Sequence, residues 1–208
     1  AADRLAEFAP LLPEAGERVA VIGCGTSWFM AAAYAAGREA AGAGETDAFA
    51  ASQLPAGRRY DRVVAISRSG TTTEVVQAIR TTSSPVTAII GSHNGPVAEA
   101  ASQTIVLDFA DEQSVVQTVF ATTTLMLLRA SLGERVEPVA AAAAQILGGA
   151  HPLDPAVDAA GQYTFIGQGW AAGVASEAAL KMREAARAWT ESYPQMEYRH
   201  GPISIAEP

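Results

Sequence analysis

The sequence holds one cysteine, Cys24, among 208 residues. That scarcity excludes an internal disulfide and a zinc site built from several cysteines. Basic residues are also few. Fourteen lysines and arginines stand against 22 aspartates and glutamates, for a net charge of −8. A nucleic-acid backbone is bound by basic faces, so it is not expected as the main partner. A small anionic ligand stays open, because it reads local donors rather than net charge. No apolar run reaches the ~18 residues that a membrane span needs. No secretory signal pattern opens the chain. The expectation is a cytoplasmic protein without a membrane partner. No metal-ligand spacing stands out, and neither a metal nor an organic cofactor is expected.

What the sequence does have is a repeated alternation of short β-branched runs and Ala-rich helical patterns. Its centre is Ser67-Arg68-Ser69-Gly70-Thr71-Thr72-Thr73-Glu74. An apolar run, Arg62 to Ile66, precedes it and reads as a buried strand. Val75 to Arg80 follows with the spacing of a helix packed on a sheet. A cluster of hydroxyls and one glycine therefore sits where a strand turns into a helix. Helix starts offer unpaired backbone N–H groups and a partial positive charge, which suit a phosphate. Gly70 lets the backbone approach an anion closely. The plainer reading is a Ser/Thr helix cap in a surface turn.

An earlier stretch has the same construction. Arg18 to Ile22 is a β-rich run that ends in Gly23-Cys24-Gly25-Thr26-Ser27, before a helical pattern over 28–41. A dinucleotide site is disfavoured. Trp28 stands where the third glycine of Gly-x-Gly-x-x-Gly belongs, and no acidic residue closes a second strand. Further strands are predicted at 46–51, 86–90 and 104–107. Helices are predicted at 2–12, 96–102, 111–133 and 138–149. Alternating strands and helices with short loops imply a parallel sheet covered on both faces. Such sheets bind ligands at the carboxyl ends of their strands, where both hydroxyl turns lie.

After Pro152 and Pro155 the first pattern returns. Ile22-Gly23-x-Gly25 recurs as Ile166-Gly167-x-Gly169, again before an Ala-rich helix. This predicts a duplicated unit. Residues 1–150 form the first domain and 151–208 the start of a second, incomplete copy, with further residues expected to complete its sheet.

The second copy's helix carries Glu177, Lys181, Arg183 and Glu184, and His200 follows before Gly201-Pro202. Proton transfer on a sugar phosphate needs a carboxylate of raised pKa and a group titrating near neutrality. Glu184 and His200 are a candidate pair. The alternatives are a solvated Glu184 paired with Lys181 or Arg187 and a structural loop histidine. His93 and His151 read as surface residues, and Cys24 as a small buried side chain.

Together, Cys24 to Ser27, Ser67 to Thr72, and Ala179 to Glu184 through Arg199-His200-Gly201-Pro202 resemble the sugar isomerase (SIS) family. The likeness extends over nearly the whole chain, and it points to the isomerase half of glucosamine-6-phosphate synthase and to related phosphosugar isomerases and deaminases. It implies an α/β fold: a three-layer αβα sandwich with a flavodoxin-like parallel sheet, duplicated, often in a homodimer. It implies a small-molecule sugar phosphate as ligand. Thr26, Ser27, Ser67, Ser69 and Thr72 would hold the phosphate, with backbone help from Gly25 and Gly70. Arg68 departs from the glutamine common in the synthase. The segment 112–118, with Val115 and Gln117, resembles the family's sugar-lining stretch. Glu184 would move a proton between C1 and C2 through a cis-enediol. His200 would serve ring opening from the neighbouring subunit of a shared site. Nothing matches a glutaminase domain. The resemblance leaves open a non-catalytic phosphosugar sensor and a fructosamine-phosphate deglycase.

Overall fold

The computed structural model describes residues 4–149 and 155–206. His151, Pro152 and the expected domain boundary lie outside the described residues. Helix α1 (Leu5–Phe8) leads into a 3₁₀ turn, Ala9–Leu11. The helix expected over 2–12 stops early, because Pro10 lacks an N–H and its ring clashes with the preceding turn.

Five parallel strands follow with their helices: β1 (Val19–Gly23), α2 (Thr26–Ala40), β2 (Thr46–Ala50), β3 (Arg62–Ser67), α3 (Thr73–Thr81), β4 (Val86–Ile90), α4 (Pro96–Ala100) and β5 (Gln103–Val106). The sheet order is β2-β1-β3-β4-β5. Side chains alternate across a strand, so each central strand feeds two cores. Val19, Val21, Val64, Ile66 and Ile89 meet Met30 and Tyr34 of α2 on one face. Phe120 and Leu128 of α5 (Val119–Ala130) complete that layer. Ala20, Ile22, Val63, Ala65 and Ile90 meet Val75 and Ile79 of α3 and Val97 of α4 on the other. This is the expected three-layer sandwich. Burying each such aliphatic side chain is worth about 1.5–3 kcal/mol, which is why these runs carry almost no polar residue.

Helix α5 is shorter than the 111–133 read from the sequence. The acidic opening at 111–114 is not its first turn. The Glu112 carboxylate instead reaches forward and accepts the N–H groups of Thr118, Val119 and Phe120 at 2.9–3.2 Å. It caps the helix from six to eight residues away, and 111–118 stays a loop. Helix α6 (Glu137–Gly148) is exposed along its length.

The second unit contains α7 (Pro155–Asp158), β6 (Gln162–Gly167), α8 (Trp170–Ala186) and β7 (Trp189–Pro194), then 3₁₀ turns at Glu197–His200 and Pro202–Ile205. Strands β6 and β7 pair in parallel, as β1 and β2 do. Helix α8 crosses α2 at Gly173. A Cβ there would lie 2.6 Å from the Phe29 carbonyl oxygen and 2.7 Å from the Ala33 nitrogen. Only a glycine permits this approach, and it brings α8 over the first unit. Among the described residues no helix is long and apolar enough to cross a membrane.

Candidate functional site

The chain runs from β1 outward to β2, then returns to β3 on the other side of β1. That reversal opens a crevice beyond the carboxyl ends of β1 and β3, the usual ligand position in such sheets. Both hydroxyl turns border it.

In the first turn, Gly23 has no room for a side chain, since a Cβ would lie 2.6 Å from the Ser27 backbone carbon. Gly25 adopts φ 55°, ψ −125°, a conformation essentially reserved for glycine. Its carbonyl accepts the Trp28 and Phe29 N–H groups and starts α2. Thr26 and Ser27 follow, both buried at this helix end.

In the second turn, Ser67 is buried at the end of β3 and its hydroxyl lies 3.1 Å from the Thr72 hydroxyl. Gly70 (φ 66°) donates its N–H back to the Ser67 carbonyl. Ser69 accepts hydrogen bonds from the N–H and hydroxyl of Thr71. Thr72 occupies the N-cap position of α3 but makes no side-chain cap bond. The plain cap reading therefore fails for Thr72, whose hydroxyl is turned toward Ser67. The starts of α2 and α3 are both left without a side-chain cap. Their first-turn N–H groups have the polarity that an anion complements.

Helix α8 brings a carboxylate, Glu177, to the Thr26 end of the first turn. Glu177, Lys181 and Glu184 share one face, four and three residues apart. The Lys181 ammonium lies 3.4 Å from Glu177 and 2.5 Å from Glu184. The Glu177 side chain is 13% exposed and that of Glu184 35%. Burial pushes the Glu177 carboxyl above the ordinary range, against the downward pull of Lys181 and of the nearby Thr26 hydroxyl. Its Oε2 is buried without a hydrogen bond among the described residues. Leu180 packs beside Gly25, with Cδ2 3.9 Å from where a Cβ would stand. Glu177, two turns before Glu184 on the same face, is a carboxylate whose value burial raises. The Glu-x-x-x-Lys-x-x-Glu spacing was its sequence signal, but burial against Thr26 was not legible there.

The Nη1 nitrogen of Arg68 donates to the carbonyls of Glu112 and Ser114. Val115 and Gln117 lie in the loop before α5. Val115 is 90% exposed, and Gln117 has a buried Oε1 without a partner among the described residues. His200 is exposed in its 3₁₀ turn, and no hydrogen bond joins it to Glu184 or to the hydroxyl turns. His93 pairs with Asp108 at the surface. Burial raises the Cys24 thiol, offset in part by the Ala51 backbone and reinforced by Glu74, so it is held in the protonated, unreactive form. A shallow depression of about 230 Å³ beside α3 is lined by Ser52, Glu74 and Gln77 and not by the hydroxyl turns.

No family model matches the chain. It is 28% identical over 206 residues to the isomerizing glutamine–fructose-6-phosphate aminotransferase of Sulfurisphaera tokodaii, covering 92% of this chain and 35% of that protein. The chain thus spans about a third of the length of the curated relatives it matches. In fold it resembles the tagatose-6-phosphate ketose/aldose isomerase of Escherichia coli, with TM-score 0.79, 21% identity and coverage of 99% and 64%. It also resembles the glucosamine-6-phosphate deaminase of Thermotoga maritima, with TM-score 0.76, 22% identity and coverage of 99% and 70%. The chain is a homologue of the isomerase (SIS) domain of the isomerizing glutamine–fructose-6-phosphate aminotransferases, and it shares its fold with phosphosugar isomerases and deaminases.

Proposed function

We propose that the chain acts on a phosphorylated sugar or aminosugar by aldose–ketose isomerisation or the related deamination. The observation that carries this reading is the meeting of two elements. The α8 face with Glu177, Lys181 and Glu184 meets the Gly25-Thr26 turn at Glu177 and Leu180, which sets acid–base groups beside hydroxyls suited to an anion.

In this reading, Thr26, Ser27, Ser67, Ser69 and Thr72 donate to the phosphate, and the starts of α2 and α3 add backbone N–H groups. The phosphate end is fixed and the open-chain carbonyl end extends toward α8. Glu184 takes the proton from C1 of the ketose while the C2 carbonyl oxygen takes one from solvent, giving the cis-enediol. The same carboxyl returns its proton to C2, and the O1 hydroxyl gives its own back to solvent as the aldehyde forms. Lys181 sits between two carboxylates, so its ammonium keeps both close without leaving a buried charge unpaired. His200 would open the ring from a neighbouring chain in a homodimer. Its exposure and lack of bonds to Glu184 suit that placement. A second assignment, with Glu177 as the proton-transfer carboxylate, is favoured by its raised pKa and unpartnered Oε2.

The test is to incubate the chain with glucosamine 6-phosphate, and separately with fructose 6-phosphate and ammonia, and to follow the phosphosugars by ³¹P NMR. Interconversion is the expected result. Binding without turnover would favour a phosphosugar sensor, and neither binding nor turnover would overturn the phosphate site.

A further inference from the structure

Segment 111–118 has no regular structure, yet it is tied down at both ends. At its far end, the Glu112 carboxylate collects the N–H groups of Thr118, Val119 and Phe120 and the Thr118 hydroxyl. At its near end the ties come from β3. One Arg68 nitrogen, Nη1, donates both to the Glu112 carbonyl and to the Ser114 carbonyl, the latter at 2.8 Å. Arg68 is itself placed from β4, since its carbonyl accepts the Gly91 N–H at 3.0 Å. Gly91 packs so closely that a Cβ would lie 2.9 Å from that carbonyl oxygen and 3.4 Å from Asp111 Oδ1. The ends of β3 and β4 and the 111–118 loop are thereby fastened to one another through Arg68. The neighbours of Arg68 in sequence, Ser67 and Ser69, belong to the hydroxyl turn, while Val115 and Gln117 lie between the loop's two ties.

We infer that Arg68 is a positioning residue. It fixes the 111–118 wall relative to the phosphate turn, and so sets which sugar the phosphate-anchored ligand presents to that wall. This deepens the proposed function and rests on it. Arg68 acts through the loop, with Nη1 committed to two of its backbone carbonyls. An always-charged guanidinium suits that task, since it donates without ever needing to accept. Without it the loop keeps the Glu112 cap and the local bonds at Asp111, and 112–114 lose their tie to Arg68.

The experiment compares the wild-type chain with Arg68→Ala, and with Arg68→Lys should the alanine variant fail to fold. Amide hydrogen exchange of 112–117 is expected to accelerate by about tenfold or more, with β3 and β4 unchanged. Arg68→Lys keeps charge without the guanidinium and is expected to fall between. Unchanged exchange in either folded variant overturns the inference. In parallel, binding of fructose 6-phosphate and of inorganic phosphate is measured by calorimetry. The sugar phosphate should weaken about tenfold more than inorganic phosphate does. Equal weakening of both would mean that Arg68 contacts phosphate directly, which also overturns it. A wild-type chain that binds neither ligand would defeat the functional reading, and the exchange data alone would then decide whether Arg68 holds the loop.

Discussion

The two glycine turns of the chain have almost the same backbone and opposite chemistry. Gly25 lies at φ 55°, ψ −125° and Gly169 at φ 57°, ψ −130°. Gly23 and Gly167 are both too crowded for a Cβ, and both lead from a strand into a long helix. After Gly25 come Thr26 and Ser27, buried hydroxyls at a helix start. After Gly169 come Trp170 and Ala171, neither of which carries a hydroxyl. The strands differ as well. β1 is buried throughout between β2 and β3, while β6 is largely exposed or half-buried and pairs with β7 alone among the described residues. Glycine fixes the turn in both units, and hydroxyls follow it only in the first. The second unit contributes something else: the face of α8 that it lays on the first unit.

That division of labour can be broken. The largest effect is expected from Glu184→Gln, which should lower turnover by about 10²–10⁴-fold while leaving phosphosugar binding near normal. Turnover unchanged in Glu184→Gln but lost in Glu177→Gln would move the base to Glu177, and loss of binding in Glu184→Gln would show that α8 anchors the ligand too. Next is Gly173→Val, which forces side-chain atoms into the α2 backbone. It should cost roughly 1–3 kcal/mol in denaturant melts and lower activity further by lifting α8 from Thr26. Full activity in this variant would separate the two units functionally. Gly25→Ala and Gly169→Ala should each cost roughly 1–3 kcal/mol of backbone strain, so their melting temperatures should fall alike. Only Gly25→Ala should lose the stabilisation given by inorganic phosphate, and equal loss in both would erase the distinction between the turns.

The smallest effect concerns pH. Burial raises the Glu177 carboxyl, so the folded chain holds its proton above the ordinary value of 4.5, and stability falls as pH rises through that window. At Glu112 burial acts upward, but the N–H groups of Phe120, Thr118 and Val119 outweigh it and lower the value. Its contribution is present above 4.5 and is lost as pH falls through the lowered value. Melting temperatures against pH should show Glu177→Gln removing a falling slope and Glu112→Gln removing a rising one. Slopes of the same sign would contradict these environments.

Much of this architecture was legible in the residues. Buried runs such as Val63 to Ile66 read as strands because nothing polar interrupts them, and glycine with hydroxyls marked both turns at their ends. The long reach of Glu112 was not legible, because a carboxylate capping a helix from six residues upstream looks the same as an acidic first turn. Nor was the early stop at Phe8, where Pro10 overrode an amphipathic pattern.

The sequence by itself determined the alternation of strands and helices, the two matched glycine turns and the residue types of the site, since these depend on local sterics and on side-chain periodicity. Tertiary structure alone decided the sheet order that opens a crevice between β1 and β3. It decided too that α8 crosses α2 at Gly173 and carries Glu177 to Thr26, and that Arg68 faces the 111–118 loop. Those outcomes depend on contacts between residues far apart in the chain, and no local preference encodes which distant surface a given face will meet.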